Sequence, residues 1–123
     1  MDLSNLKAPR PVPPNIVYPQ DNKVQIILRD LEKIKTSKKR KRLKKSEHLV
    51  YFIAHAIRKS MEDHLLHTTA VWVLIVLFRM FPTELKTIML EAGIPGVLHS
   101  IIQVGGLSGS SRQYASELCF FLR

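Results

Sequence analysis

The sequence predicts an all-α protein made from a repeated set of three helices behind a proline-rich tail. Three observations point there. Apolar residues recur three and four positions apart through most of residues 24–122, the period of one helix face. Glycine and proline fall together where one helix would stop and the next begin, at Gly93 and Pro95. The apolar pattern of residues 85–122 also recurs earlier in the chain, in the same order.

The elements follow in order. Residues 1–22, "MDLSNLKAPRPVPPNIVYPQDN", hold Pro9, Pro11, Pro13, Pro14 and Pro19. They are expected to be extended, because proline fixes φ and removes a backbone donor. The stretch has no apolar core of the kind a signal peptide needs. "PRPVPP" has the composition of an SH3 or WW ligand, but a plain disordered lead-in accounts for it more simply. Residues 23–123 are expected to form one helical module. Its first helix covers Val24–Leu31, a basic insertion at 33–47 follows, and helices Leu49–Ile57 and Leu65–Phe78 come next. Pro82-Thr83 opens Leu85–Ala92, with Thr83 as the N-cap and Gly93 as the residue that ends the helix. Pro95 suits the first turn before Val97–Val104. "GGLSGSS" reads as a flexible loop, and Ser110 with Gln113 as a capping box for a last helix, Tyr114–Leu122. No strand is expected. The apolar stripes should meet in a core containing Val73, Leu77, Leu90, Leu98, Ile101, Leu118 and Leu122.

The internal repeat can be read residue by residue. Ile94, Val97, Leu98, Ile101 and Ile102 match Leu49, Phe52, Ile53, Ala56 and Ile57 at a shift of 45. Ala115, Leu118 and Leu122 match Ala70, Val73 and Leu77 at the same shift. Leu85, Ile88, Met89 and Ala92 match Val24, Ile27, Leu28 and Leu31 at 61, so 16 extra residues separate the first two helices of the earlier copy. The basic run lies among them.

Glu84–Leu122, "ELKTIMLEAGIPGVLHSIIQVGGLSGSSRQYASELCFFL", resembles an armadillo repeat. Glu91-Ala92-Gly93-Ile94-Pro95 occupies the family's junction between first and second helices, and Ala115, Leu118 and Leu122 fit its third helix. Ala70–Phe78 resembles the third helix of a preceding repeat, and HEAT repeats and other armadillo-like helical domains share the pattern. The resemblance implies a right-handed armadillo-like stack of about one and two-thirds repeats whose helical surface meets protein partners. It also sets a limit. In the importin-alpha and beta-catenin branches the third helices line a groove with Asn, joined in importin-alpha by Trp four residues away. Trp72 matches the Trp place, but Val76 stands where the Asn would be, and Glu117 and Phe121 hold those places in the next copy. A contact face at Trp72, Glu117 and Phe121 is implied, but the import receptor's peptide clamp is not.

Composition bounds the rest. The chain of 123 residues suits one small domain, and its hydrophobic fraction of 46% is ordinary. The formal charge is +9, yet nine of the 19 basic residues fall between Lys33 and Lys45 with no acid among them. Outside that stretch ten basic residues face ten acidic ones, so the charge is a local feature. Cys119 is the only cysteine, which excludes an internal disulfide and a cysteine-rich zinc site and fits a reducing, intracellular compartment. "LLHTTAVWVLIVLF", Leu65–Phe78, is the one membrane candidate, with the basic run as its positive flank. It is shorter than the roughly 20 residues a span needs, and a buried core helix is the favoured reading.

Catalytic chemistry finds little support. "GGLSGSS" lacks the Lys-[Ser/Thr] of a phosphate loop, and "GLSGS" lacks the last glycine of a G-x-S-x-G elbow. His64-x-x-His67 after Glu62-Asp63 has ligand-type residues, but nothing fixes a third or fourth ligand, and helix-end polar roles explain them better. Cys119, among Leu118, Phe120 and Phe121, reads as a small buried hydrophobe. No cofactor or metal is implied. Seven of the eight residues Lys38–Lys45 are basic: Lys38, Lys39, Arg40, Lys41, Arg42, Lys44 and Lys45. The plain reading is a solvated loop or helix extension. The pointed ones are a nuclear-import signal or a contact for phosphate, and no aromatic within 33–45 is there to stack on bases.

The expected function is therefore a non-enzymatic protein-interaction scaffold or adaptor, nuclear or nucleocytoplasmic. A small membrane-anchored protein using residues 65–81 and an electrostatic nucleic-acid adaptor are the alternatives. Repeat stacks need about three units. The end "CFFLR" is thus expected to leave Phe120, Phe121 and Leu122 for further repeats, a second copy or another protein to cover.

Overall fold

The computed structural model describes residues 22–105, 107 and 109–123. The proline-rich tail predicted for residues 1–22 lies outside them apart from Asn22. Six helices follow one another: α1 (Lys23–Thr36), α2 (Lys39–Lys59), α3 (His64–Met80), α4 (Pro82–Glu91), α5 (Ile94–Val104) and α6 (Gly109–Phe121). The described residues contain no strand. The all-helical prediction holds.

Each boundary has a local cause. The Asn22 side chain accepts from the Gln25 amide at 3.2 Å and starts α1, whose buried stripe is Val24, Ile27, Leu31 and Ile34. Ile34 carries the stripe past Leu31, the predicted end. Thr36 Oγ1 then bonds the Glu32 carbonyl at 3.1 Å, Ser37 Oγ bonds that of Lys33, and the helix stops. Asp63 caps α3 by accepting from the Leu66 amide at 3.0 Å. Pro82 is itself in the first turn of α4, where its missing N–H costs nothing. Thr83 is consequently inside the helix and is not its cap. Gly109 turns the chain into α6 with φ +53, so Ser110 falls in the first turn. The Gln113 amide donates to Glu117 Oε1 at 3.5 Å, and the predicted capping box is absent.

The fold centres on α3. It packs against α1, α2, α4 and α6, and its buried residues include Leu66, Ala70, Val71, Val73, Leu74 and Leu77. A helix apolar on every side needs neighbours on every side. That explains the apolar run Leu65–Phe78. No single described helix is long and apolar enough to cross a membrane. α4 and α5 reach that apolarity only together, and they bend by 74° at Gly93.

The α4–α5 corner needs its glycine. Gly93 has φ +76, and a Cβ there would lie 2.6 Å from the Arg58 guanidinium. That guanidinium reaches from the end of α2 to donate to the Ala92 carbonyl at 3.0 Å. One residue thus serves the turn and makes room for the arginine that caps α4.

Of the seven predicted core residues, Val73, Leu77, Leu98, Ile101, Leu118 and Leu122 are buried. Leu90 is not: it is 45% exposed. The inward face of α4 is Leu85, Ile88, Met89 and Ala92, and Leu90 follows Met89 about 100° around the helix, on the solvent side. Of the three C-terminal residues expected to need a cover, Phe120 and Phe121 are exposed, while Leu122 is buried, as its place in the apolar stripe predicted.

Candidate functional site

The basic run belongs to a helical hairpin. Lys38 is the N-cap residue of α2, and Lys39 to Lys45 form its first two turns. Of loop or helix extension, the structure has the extension. The 33–47 segment is thus the last turn of α1, a short corner at Ser37–Lys38 and the start of α2. Six of the seven basic residues, Lys38, Lys39, Arg40, Lys41, Lys44 and Lys45, are exposed. Arg42 differs. It is half-buried and turns back to donate to the carbonyls of Ser37 at 2.9 Å and Lys35 at 3.2 Å. Those are orphan acceptors at the negative end of the α1 dipole. Lys45 Nζ bonds Ser37 Oγ at 2.6 Å across the same corner. The start of α2 has no acidic residue and no side-chain cap, so its own dipole opposes the charge placed there.

The predicted contact face comes apart. Trp72 is only 4% exposed, enclosed because α3 has helices around it, and its indole nitrogen has no hydrogen-bond partner among the described residues. It offers no surface to a partner. Glu117 and Phe121, on α6, are exposed as expected. They line a cleft of ≈ 450 Å³ between α3 and α6 with Ile75, Phe78, Arg79, Pro82, Tyr114 and Leu118. Phe121 is 54% exposed and stacks on Phe78, ring centroids 6.1 Å apart. Phe120, 65% exposed, meets the edge of Phe121 at 6.0 Å and lies under the Arg123 guanidinium at 5.7 Å. The cleft wall is apolar and aromatic, with Arg79 and Glu117 as its charged members. Sequence reasoning missed Phe78, Arg79 and Tyr114. The available signal was the reading of Leu65–Phe78 and Tyr114–Leu122 as successive third helices, which would line a shared groove from both sides.

Other reactive side chains are held in place. His67 is buried, with Nε2 3.1 Å from the Ser60 carbonyl, so the neutral ring donates there and staples the α2–α3 turn. Burial lowers its pKa, opposed by the Ser60 bond; His64 lowers it further and Asp63 raises it. The His64 and His67 rings are 6.0 Å apart and tilted. No three His, Cys, Asp or Glu side chains converge among the described residues. Cys119, expected as a small buried hydrophobe, is half-buried against the core, with Sγ 3.9 Å from the Pro95 carbonyl. Burial pushes its thiol pKa up, against the pull of Arg123, which keeps it from acting as a ready nucleophile.

No protein-family model, curated protein or solved structure matches this chain.

Proposed function

We propose that this chain is a non-enzymatic interaction module of about one and two-thirds armadillo-like repeats, which receives an apolar segment of a partner protein in the α3–α6 cleft. Burial supports the repeat. Every position matched between the two copies is buried or half-buried, from Val24 and Leu85 in the first helices to Leu77 and Leu122 in the third. Packing supports it too: α2 lies against α5 and α3 against α6, two of the three pairs that a stack of equivalent helices brings together. The lone cysteine and the buried histidine are occupied structurally, which favours binding over catalysis.

The observation that carries the function is the cleft itself. Phe121 and Pro82 stay exposed and Phe78 and Tyr114 half-exposed around a concavity backed by the buried Ile75 and Leu118, with a charge of each sign beside it, the composition of a protein-binding hot spot. The experiment is a peptide-display selection on the full chain. Enriched peptides should carry an aromatic or leucine anchor, and Phe121→Ala should weaken them by about tenfold or more, as loss of a hot-spot side chain does. Failure to enrich, or peptides indifferent to Phe121→Ala, would overturn the reading. Loss of concentration-dependent dimers in the same variant would identify a second copy as the occupant. The basic run adds a candidate nuclear-import address, tested by comparing fluorescent fusions with and without Lys38, Lys39, Arg40, Lys41, Lys44 and Lys45 replaced by glutamine.

A further inference from the structure

The solvent face of α2 is not spent by the cleft or by the core. The helix buries Ser46, Leu49, Val50, Ile53, Ala54, Ala56 and Ile57 along one side. On the other side Arg40, Lys44, His48, Tyr51, His55 and Lys59 recur three or four residues apart, and all six are exposed. At about 1.5 Å per residue this single file runs about 28 Å. Lys41 sits beside its first members, and Glu47 is the one acid in the helix. Arg40, Lys41, Lys44 and Lys59 have no ion-pair partner among the described residues. Tyr51 lies mid-file, 43% exposed, and His48 and His55 place a ring on either side of it. A shallow groove between α1 and α2 adjoins the file. Its floor is Ile34, Leu49 and Phe52, and Lys33 and Lys45 line it with one carboxylate, Asp30.

We infer that this face binds single-stranded nucleic acid, with phosphates tracking the cations and unpaired bases stacking on Tyr51. Two features select that occupant. The cations are arrayed in a line along one helix, complementary to a linear polyanion. A planar aromatic surface interrupts them midway, and base–aromatic stacking is how proteins hold unpaired bases without reading sequence. An anionic membrane would match charges spread over a plane beside side chains able to insert, and this file contains no aliphatic residue. The absence of aromatics within 33–45 is thus made good along the same face by residues further along the helix, which only the helical register of α2 aligns with the cations.

The test uses the full chain and a fluorescein-labelled oligouridine, followed by anisotropy across 50–200 mM salt. Four phosphate contacts predict that log K falls with log salt at a slope of about −3, near −0.7 per contact for a single strand. Lys41→Gln with Lys44→Gln should halve that slope. Tyr51→Ala, a surface change checked by circular dichroism, should weaken binding at least about fivefold and leave the slope alone. A duplex of equal charge should bind without responding to Tyr51→Ala. The inference fails if the oligonucleotide does not bind, if its slope is near zero, or if Tyr51→Ala is silent on the single strand. It fails equally if phosphatidylserine vesicles bind the chain and the oligonucleotide does not.

Discussion

At the residue scale the basic run is not uniform, and stability measurements should separate its members. Arg42 neutralises the end of α1 through two carbonyls, whereas Lys39 and Lys41 lie at the unfavourable, positive end of α2. Arg42→Gln should lower stability by about 1 kcal/mol, the net value of partly exposed hydrogen bonds to a charged group. Lys39→Glu and Lys41→Glu should each raise it by about 0.3–1 kcal/mol, by answering the dipole and relieving repulsion. Urea midpoints of the three variants check both signs. His67 supplies a pH test. Its folded pKa is below the unfolded value of 6.5, so the unfolded chain takes up the proton first on acidification. The stability it confers is complete above pH 6.5 and is lost as pH falls from there toward the folded pKa. The wild-type urea midpoint should therefore drop between pH 7.5 and 5.5. In His67→Gln, which keeps a donor for Ser60 but does not titrate, that part of the drop should vanish. None of this was visible in the sequence. The charge of Lys38–Lys45 could be counted there, but which member turns back to a carbonyl depends on the hairpin angle.

At the scale of the element, the apolar period located all six helices, because burial of one face is written directly into spacing. What it could not supply were ends and phases set by something other than apolar spacing. The basic residues at the end of α1 and the start of α2 hide about four helical turns, since Ile34 and Leu43 alone are too few to set an apolar period. Thr83 and Ser110 looked like caps by residue type, but Pro82 and Gly109 had already set the starts. Leu90 failed by phase: α4 is short, and its stripe is complete without it. The contrast can be measured. Leu98→Ala or Leu118→Ala should cost about 2–5 kcal/mol, because each empties a buried site. Leu90→Ala should change stability by no more than about 0.5 kcal/mol, as surface substitutions do. Equal losses from Leu90 and Leu98 in urea denaturation would mean the face assigned to α4 is wrong.

At the scale of the molecule, α3 and α6 pack side by side and leave between them the cleft that the proposed function fills with a partner segment. Glu117 and Phe121 could be picked from the sequence because α6 has an open side; Trp72 could not be rejected, because its burial comes from the helices that surround α3. Phe78 and Tyr114 join the site through tertiary approach alone, with Phe78 brought to 6.1 Å from Phe121. Whether a peptide occupies that cleft can be read by site-specific photocrosslinking. A benzophenone amino acid placed at Phe121, or in a second variant at Val104, is irradiated with a display-selected peptide bound to the full chain. Val104 is the control because it is also an exposed apolar residue, 48% accessible at the end of α5 and outside the cleft. A peptide seated in the cleft gives a covalent adduct from position 121 and none from position 104. An adduct formed as readily from 104, or only from 104, would contradict that seating.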